Sequence, residues 1–306
     1  MDGVLVVAKP VGPTSHDVVG LVRRLAATKR VGHGGTLDPF ASGVLPIFLG
    51  KATRLVEYHL GDRKRYWATL CFGAASTTDD LEGALTRASG PVPSRADVEA
   101  ALPRFTGPIE QRPPAYSAIK VAGRRAYAMA RAGEVVELAP RSVTIHALRL
   151  EAWDESTPGE PVAVLDVESS AGTYVRSLAR DLGEAVGSAA YLGALTRTAS
   201  GPFRLDDAVA LDDVRSAAES GPDRLAALLR PIDAGLDLPM VVVPGGALPA
   251  IARGQAIGVP PGTNVLPADA PVRLVTADGE LVAIARLLGT KLAPDKVLLD
   301  ATANEP

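Results

Sequence analysis

Residues 32–43 read Gly-His-Gly-Gly-Thr-Leu-Asp-Pro-Phe-Ala-Ser-Gly and run directly into the apolar Val44-Leu45-Pro46-Ile47-Phe48-Leu49. A surface turn accounts for Asp38-Pro39, but not for His33 nearby or for an apolar run that follows at once. The glycines at 32, 34 and 35 permit positive φ and close approach of a ligand backbone. Pro39 restricts the residue before it to extended or turn geometry, which fixes where the Asp38 carboxylate points. On the residues alone, Asp38 either heads an Asx turn or is a carboxylate presented to a ligand. The loop lacks the Lys-Ser/Thr pair with which a Walker loop opens its helix. It offers one carboxylate where glycoside hydrolysis ordinarily takes two.

Working outward, Val4–Ala8 reads as a buried strand, closed by Lys9-Pro10-Val11-Gly12-Pro13. Thr14 or Ser15 then caps a helix whose apolar face is Val18, Leu21, Val22, Leu25 and Ala26, with Arg23, Arg24, Lys29 and Arg30 off that stripe. Ser15-His16-Asp17 spells a catalytic triad in order. Neighbours in sequence point apart, however, so we read these residues as capping and polar positions. Lys64–Phe72 alternates as a strand, with Tyr66, Ala68, Leu70 and Phe72 on one side and Trp67, Thr69 and Cys71 on the other. Residues 73–115 are rich in turns around a short helix near Arg95–Leu102, and a basic helical piece ends at Arg131-Ala132-Gly133. Val162–Glu168 is another strand. Gly172 and Thr173 introduce a helix with inner face Val175, Leu178, Ala179 and Leu182. Arg176 falls in the first turn of that helix, where acids are favoured, so its cation calls either for a carboxylate partner or for exposure to solvent. Asp38, Asp181 and Glu184 are the available anions.

The chain has 306 residues, 47% apolar and 22% charged, which implies a packed core rather than disorder. Cys71 is the single cysteine, there is no clustered His/Cys set for zinc, and the apolar run at Val4–Ala8 is too short for a signal h-region. No segment has the length to cross a bilayer, and a cytoplasmic location is expected. Residues 1–131 hold 18 Lys/Arg against 11 Asp/Glu and residues 132–306 hold 14 against 24, a basic half and an acidic half behind the net −3. The basic half suits a polyanion, although ordinary surface variation gives the same pattern. Residues 230–240 read as a linker. Beyond them Val272–Thr276 and Leu281–Leu287 flank an Asp278-Gly279 turn, the signature of a hairpin in a small β-rich unit.

Five segments, taken together, resemble the bacterial tRNA pseudouridine-55 synthases of the TruB family: residues 5–19 (LVVAKPVGPTSHDVV), 31–55 (VGHGGTLDPFASGVLPIFLGKATRL), 64–66 (KRY), 112–133 (RPPAYSAIKVAGRRAYAMARAG) and 169–187 (SSAGTYVRSLARDLGEAVG). The resemblance implies an α+β fold, a mixed, mainly antiparallel sheet flanked by helices, as residues 1–233. It implies an RNA-clamping insertion at 112–140 and a PUA-like domain at 234–306. By the same resemblance Asp38 is the catalytic aspartate, Tyr66 stacks on the target uracil and Arg176 pairs with Asp38. His33 fills the space the flipped uridine leaves, and Leu195 lines the pocket. Gly34, Arg112, Lys120, Arg124 and Arg125 are expected to contact RNA. No cofactor and no metal are implied, and the expected partner is the T-stem-loop of tRNA, bound by a monomer without guide RNA. Where family members often carry Thr, this chain has Gly34, and the family's TDTxD appears as Ser76-Thr77-Thr78-Asp79-Asp80 with Asp80 kept before Gly83. A tRNA-folding chaperone and the catalytic subunit of a guide-RNA particle are the competing readings. The triad of Asp38, Tyr66 and Arg176 favours an enzyme over the first, and the insertion and lack of long basic tails disfavour the second.

Overall fold

Alternation along Lys64–Phe72 is realised in a central strand: Ala68, Leu70 and Phe72 are buried, while Trp67 on the other face is 54% exposed. The computed structural model describes residues 1–299 apart from 118, 122, 135–137, 264, 265, 267 and 268, and for 120, 125, 128, 130 and 131 it describes the backbone alone. Around the central strand a mixed sheet runs in the order Val209–Ala210, Gly3–Lys9, Ser42–Leu49, Ala190–Ser200, Lys64–Phe72, Val162–Ser169, Arg141–Asp154 and Gly107–Gln111. Two of these neighbours are parallel: Val209–Ala210 with Gly3–Lys9, and Ala190–Ser200 with Ser42–Leu49. The remaining neighbours are antiparallel, so the fold is α+β with a mainly antiparallel sheet, as expected.

Helices cover the sheet where their apolar stripes require it. Thr14 caps Ser15–Leu25 in a reciprocal capping box with Asp17, and Val18, Val19 and Val22 are buried against Leu5, Val7, Leu45 and Ile47. Asp17 therefore serves the helix terminus and not a triad. The Val175–Ala185 helix buries Val175, Leu178, Ala179 and Leu182 against Leu70, Phe72 and Leu192. Each buried leucine there contributes about 1.5–3 kcal/mol.

Two long strands escaped the sequence reading. Arg141–Asp154 is a 14-residue strand whose register against Val162–Ser169 shifts between Ile145 and Ala147 and again between Leu150 and Ala152. Ala190–Ser200 shifts between Leu192 and Ala194 and between Arg197 and Ala199. Each extra residue breaks the period of two on which a strand is recognised. The short Ala74–Ser76 and Leu85–Arg87 hairpin also lies within the stretch read as turns.

A second sheet has the order Met240–Val242, Pro271–Val275, Leu281–Leu288, Lys291–Val297 and Ile257–Gly258. Gly279, at φ 84°, makes the turn anticipated between its two middle strands. The unit has its own core around Val272, Leu274, Val282 and Ala285. It docks on the first sheet's layer through Leu55, Leu236, Val275, Leu281, Ile284 and Leu298, with Lys296 and Glu57 paired at 3.0 Å.

Candidate active site

The glycine-rich loop opens the floor of a recess of about 440 Å³, bounded by residues 35–38, Tyr66, Leu195 and the 170–176 segment that leads into the Val175–Ala185 helix. Its backbone is held by side chains from three other segments. The Ser15 hydroxyl donates to the Leu37 carbonyl at 3.0 Å and accepts from the Leu37 N–H at 2.8 Å. The Lys9 ammonium donates to Pro10 and Pro13 carbonyls at 2.8 Å and reaches the Pro39 carbonyl at 3.4 Å. Arg197 donates to the Gly35 and Thr36 carbonyls at 3.0 and 3.3 Å. Carbonyls on both sides of Asp38 are thus fixed, and its side chain is left to face the recess.

There it meets Arg176. The Arg176 Nε lies 3.1 Å from Asp38 Oδ2, and Nη1 lies 3.2 Å from Asp80 Oδ2. The same guanidinium donates to the carbonyls of Thr78 and Tyr116 at 3.2 and 3.0 Å. The Arg176 side chain is 8% exposed and that of Asp80 4%, whereas Asp38 keeps 35% of its side-chain surface open to the recess. A buried fork holds one carboxylate behind it and aims the other at whatever enters.

Burial raises the pKa of Asp38; Arg176 and Lys9 pull it down, and Asp80 pushes it up. The net direction is upward, so Arg176 aims the carboxylate without holding it in the usual low range. Lys9 itself is brought down to about 8 by burial, opposed by Asp38 and assisted by Arg197. Burial raises the Tyr66 phenol, and Arg197 acts against that shift. The result is a recess with one partly open carboxylate, an aromatic ring and an apolar wall at Leu195. Such a lining can hold a planar heterocycle beside a reactive carbon.

Residues 23–175 match the model of the TruB family pseudouridylate synthase N-terminal domain, and residues 176–237 match that of the tRNA pseudouridylate synthase B C-terminal domain. The chain belongs to the TruB family of pseudouridine synthases. It is 43% identical over 312 residues to a tRNA pseudouridine synthase B of Arthrobacter sp., covering 100% of this chain and 98% of the relative. It is 44% identical over 303 residues to one from Bradyrhizobium diazoefficiens, covering 96% and 85%. Among solved structures, a chain of an H/ACA RNP bound to a substrate RNA containing 2'-deoxyuridine superposes with a TM-score of 0.75 at 25% identity, covering 98% of this chain and 86% of that one. A chain of a Cbf5-Nop10-Gar1 complex gives 0.73 at 28%, covering 98% and 85%.

In this TruB-family chain Asp38, Tyr66, Arg176 and Leu195 all line one recess. Arg176 chooses Asp38 and Asp80, while Asp181 pairs with Arg180 at 2.8 Å. His33 stands half-buried in the short strand Val31–His33, beyond the recess lining, where its Nδ1 accepts from the Gly35 N–H at 3.2 Å. Burial, with Arg197 and His16 nearby, lowers its pKa and keeps the ring neutral at pH 7. Gly34 turns toward the protein: a Cβ there would sit 3.1 Å from the Phe48 ring, and its N–H bonds the Pro46 carbonyl at 2.9 Å. Its place is explained by packing rather than by an open approach for RNA.

The segment that begins at Gln111 meets the site at its base. Gln111 exchanges hydrogen bonds with the Tyr174 backbone at 3.0 and 2.8 Å, and Arg180 donates to the Arg112 carbonyl at 2.9 Å. The Arg112 side chain is exposed. Arg124 forms a two-point pair with Glu134 at 3.1 and 2.7 Å, so a phosphate has to compete with that carboxylate. The side chains of Lys120 and Arg125 lie outside the described residues. Sequence reasoning missed the tasks of Ser15, Lys9, Asp80 and Arg197. Asp80 alone carried a signal, its retained place ahead of Gly83.

Proposed function

We propose that this chain converts one uridine of the tRNA T-loop, position 55, to pseudouridine, with Asp38 as the catalytic carboxylate. The observation that carries the reading is the Arg176–Asp38 pair at 3.1 Å inside a recess shared with Tyr66 and Leu195. The reaction breaks the C1′–N1 bond, turns the detached uracil and joins C5 to C1′. A proton leaves C5 and one is gained at N1, so no atom is lost and no water attacks. One carboxylate suffices for this, whether it adds to C1′, takes a proton from the sugar or stabilises a cationic C1′. Tyr66 stacks on the uracil and retains it between cleavage and rejoining. The target must first leave its stack at a cost of a few kcal/mol, which a neutral His33 wedge partly offsets.

Residues 112–140 serve as the clamp over the T-loop, and the basic residues Arg112, Lys120, Arg124 and Arg125 supply positive charge for its phosphates. Residues 234–306 act as a PUA-like RNA-contacting unit, and the protein works in the cytoplasm as a monomer without guide RNA, metal or cofactor. A purely binding role leaves the buried Arg176–Asp80 support behind a half-open Asp38 without a use. Incubation with unmodified tRNA, followed by site-resolved pseudouridine mapping, tests the reading. One T-loop site is converted by the wild type and none by Asp38→Ala, whose RNA affinity stays within about threefold. Wild-type turnover by Asp38→Ala removes the assignment.

A further inference from the structure

Arg197 is among the largest fully buried side chains, at 1% exposure, and among the described residues no carboxylate pairs with it. An unpaired guanidinium in the interior costs several kcal/mol, and an apolar residue of similar size is usually the more stable choice. Its presence in the Ala190–Ser200 strand therefore calls for a task that an apolar side chain cannot perform. The ladder shows what that task is. Arg197 stands directly opposite Tyr66 in the neighbouring antiparallel strand and opposite Gly43 in the parallel one. Its Nε donates to the Val44 carbonyl at 2.8 Å, Nη1 to Thr36 at 3.3 Å and Nη2 to Gly35 at 3.0 Å. The Tyr66 phenol, brought beside it by that register, adds an electrostatic contact with the guanidinium. Gly43 permits this closeness: a Cβ there would lie 2.2 Å from the Arg197 carbonyl.

The planar fork thus joins three parts of the recess: the loop before Asp38, the start of the strand after it, and the ring that faces the base. A lysine at this place keeps the charge but has no fork with which to reach these groups together. We propose that Arg197 is a positioning residue that locks the Tyr66 ring to the Gly35–Thr36 backbone, so that the stacking surface and the Asp38 loop keep one fixed spacing. The inference rests on the reading of Tyr66 as the uracil-stacking residue. Its chemical meaning is that the detached uracil is held by Tyr66 while C1′ is held against Asp38, and a shift between the two spoils the rejoining step. Rebinding geometry of this kind acts on the rate after RNA is bound and leaves RNA affinity nearly untouched.

The test is single-turnover conversion of unmodified tRNA, with enzyme in excess, alongside RNA affinity, for wild type, Arg197→Lys, Tyr66→Phe and the double variant. Arg197→Lys should slow conversion by roughly 30- to 100-fold, the scale of a displacement near 1 Å, with affinity within about threefold. Adding Tyr66→Phe to Arg197→Lys should then cost less than about threefold, because the link is already cut. Losses that multiply independently, or a loss that lies in affinity and not in the bound-state rate, overturn the proposal. Should Arg197→Lys not fold, Tyr66→Phe alone decides. It severs the link from the other end, and wild-type conversion by that variant overturns the proposal. Wild-type protein that makes no pseudouridine defeats the functional reading instead, and an active wild type with uncoupled variants defeats only the role of Arg197.

Discussion

Replacing Asp80 by asparagine separates the two tasks that the Arg176 fork performs. Asp80 is 3% exposed and takes the Arg176 Nη1 at 3.2 Å on one oxygen, while the other accepts from the Glu82 N–H at 3.0 Å and from the Thr78 hydroxyl. Asparagine keeps the shape and the second set of bonds but loses the charge. Breaking a buried pair from one side costs about 3–5 kcal/mol where nothing else holds the remaining charge. Here Arg176 retains Asp38 and the Thr78 and Tyr116 carbonyls, so the loss is that of a charge-assisted hydrogen bond, about 1.5–3 kcal/mol. At about 2–4 °C per kcal/mol for a domain of this size, the melting temperature of Asp80→Asn should fall by roughly 3–12 °C.

The catalytic consequence has a definite sign. Asp80 raises the pKa of Asp38, so its neutralisation lets the Asp38 proton leave at lower pH. If Asp38 works ionised, activity in the wild type is lost as pH falls through its raised pKa, and in Asp80→Asn that acidic limb moves further down. The maximal rate falls as well, because Arg176 is held from one side fewer. The assay is single-turnover conversion of tRNA from pH 4.5 to 8, with melting followed by circular dichroism over the same range. An acidic limb that moves up, or an unchanged melting temperature, refutes the reasoning.

Three further perturbations read other parts of the site. Asp38→Asn should abolish conversion yet raise the melting temperature at pH 7, because a carboxyl with a pKa above its unfolded value destabilises the native state when ionised; the gain should shrink as pH falls through that pKa, and a lower melting temperature at pH 7 contradicts this. Ser15→Ala leaves the Leu37 N–H and carbonyl without their partner and should cost about 1–3 kcal/mol by denaturant titration, with a fall in bound-state rate larger than the fall in RNA affinity. Gly43→Ala puts a Cβ 2.2 Å from the Arg197 carbonyl at φ 112°, and soluble expression should be lost or the melting temperature lowered by more than about 10 °C.

What the sequence made legible follows the range of the interaction concerned. The first helix, the central strand and the Val175–Ala185 helix carry short-period patterns, and the structure has them at nearly the expected bounds. Arg141–Asp154 and Ala190–Ser200 carry bulges, and a bulge looks like noise until the partner strand is known. The site divides in the same way. Asp38 stood out because glycines and a proline surround it, and Arg176 because a cation in a first turn lacks local support. Ser15 was hidden by a triad spelled in its own neighbourhood, when its partner was a backbone 22 residues away.

Arg197 is the sharpest instance. Nothing in Ala194-Leu195-Thr196-Arg197-Thr198 sets this arginine apart from the chain's other basic residues. Only the register, with Tyr66 on one side and Gly43 on the other, turns it into a buried charge. The side chains proposed to touch substrate are set by local chemistry and leave a trace in the adjoining residues. Those that hold them are set by strand pairing, and a pairing is a property of two segments that neither displays alone. The same division tells where substitutions should act: changes at Asp38 alter what the recess can do, while changes at Ser15, Gly43 and Arg197 alter how steadily it is held. Stability and bound-state rate should therefore fall together at the second group and move in opposite directions at the first.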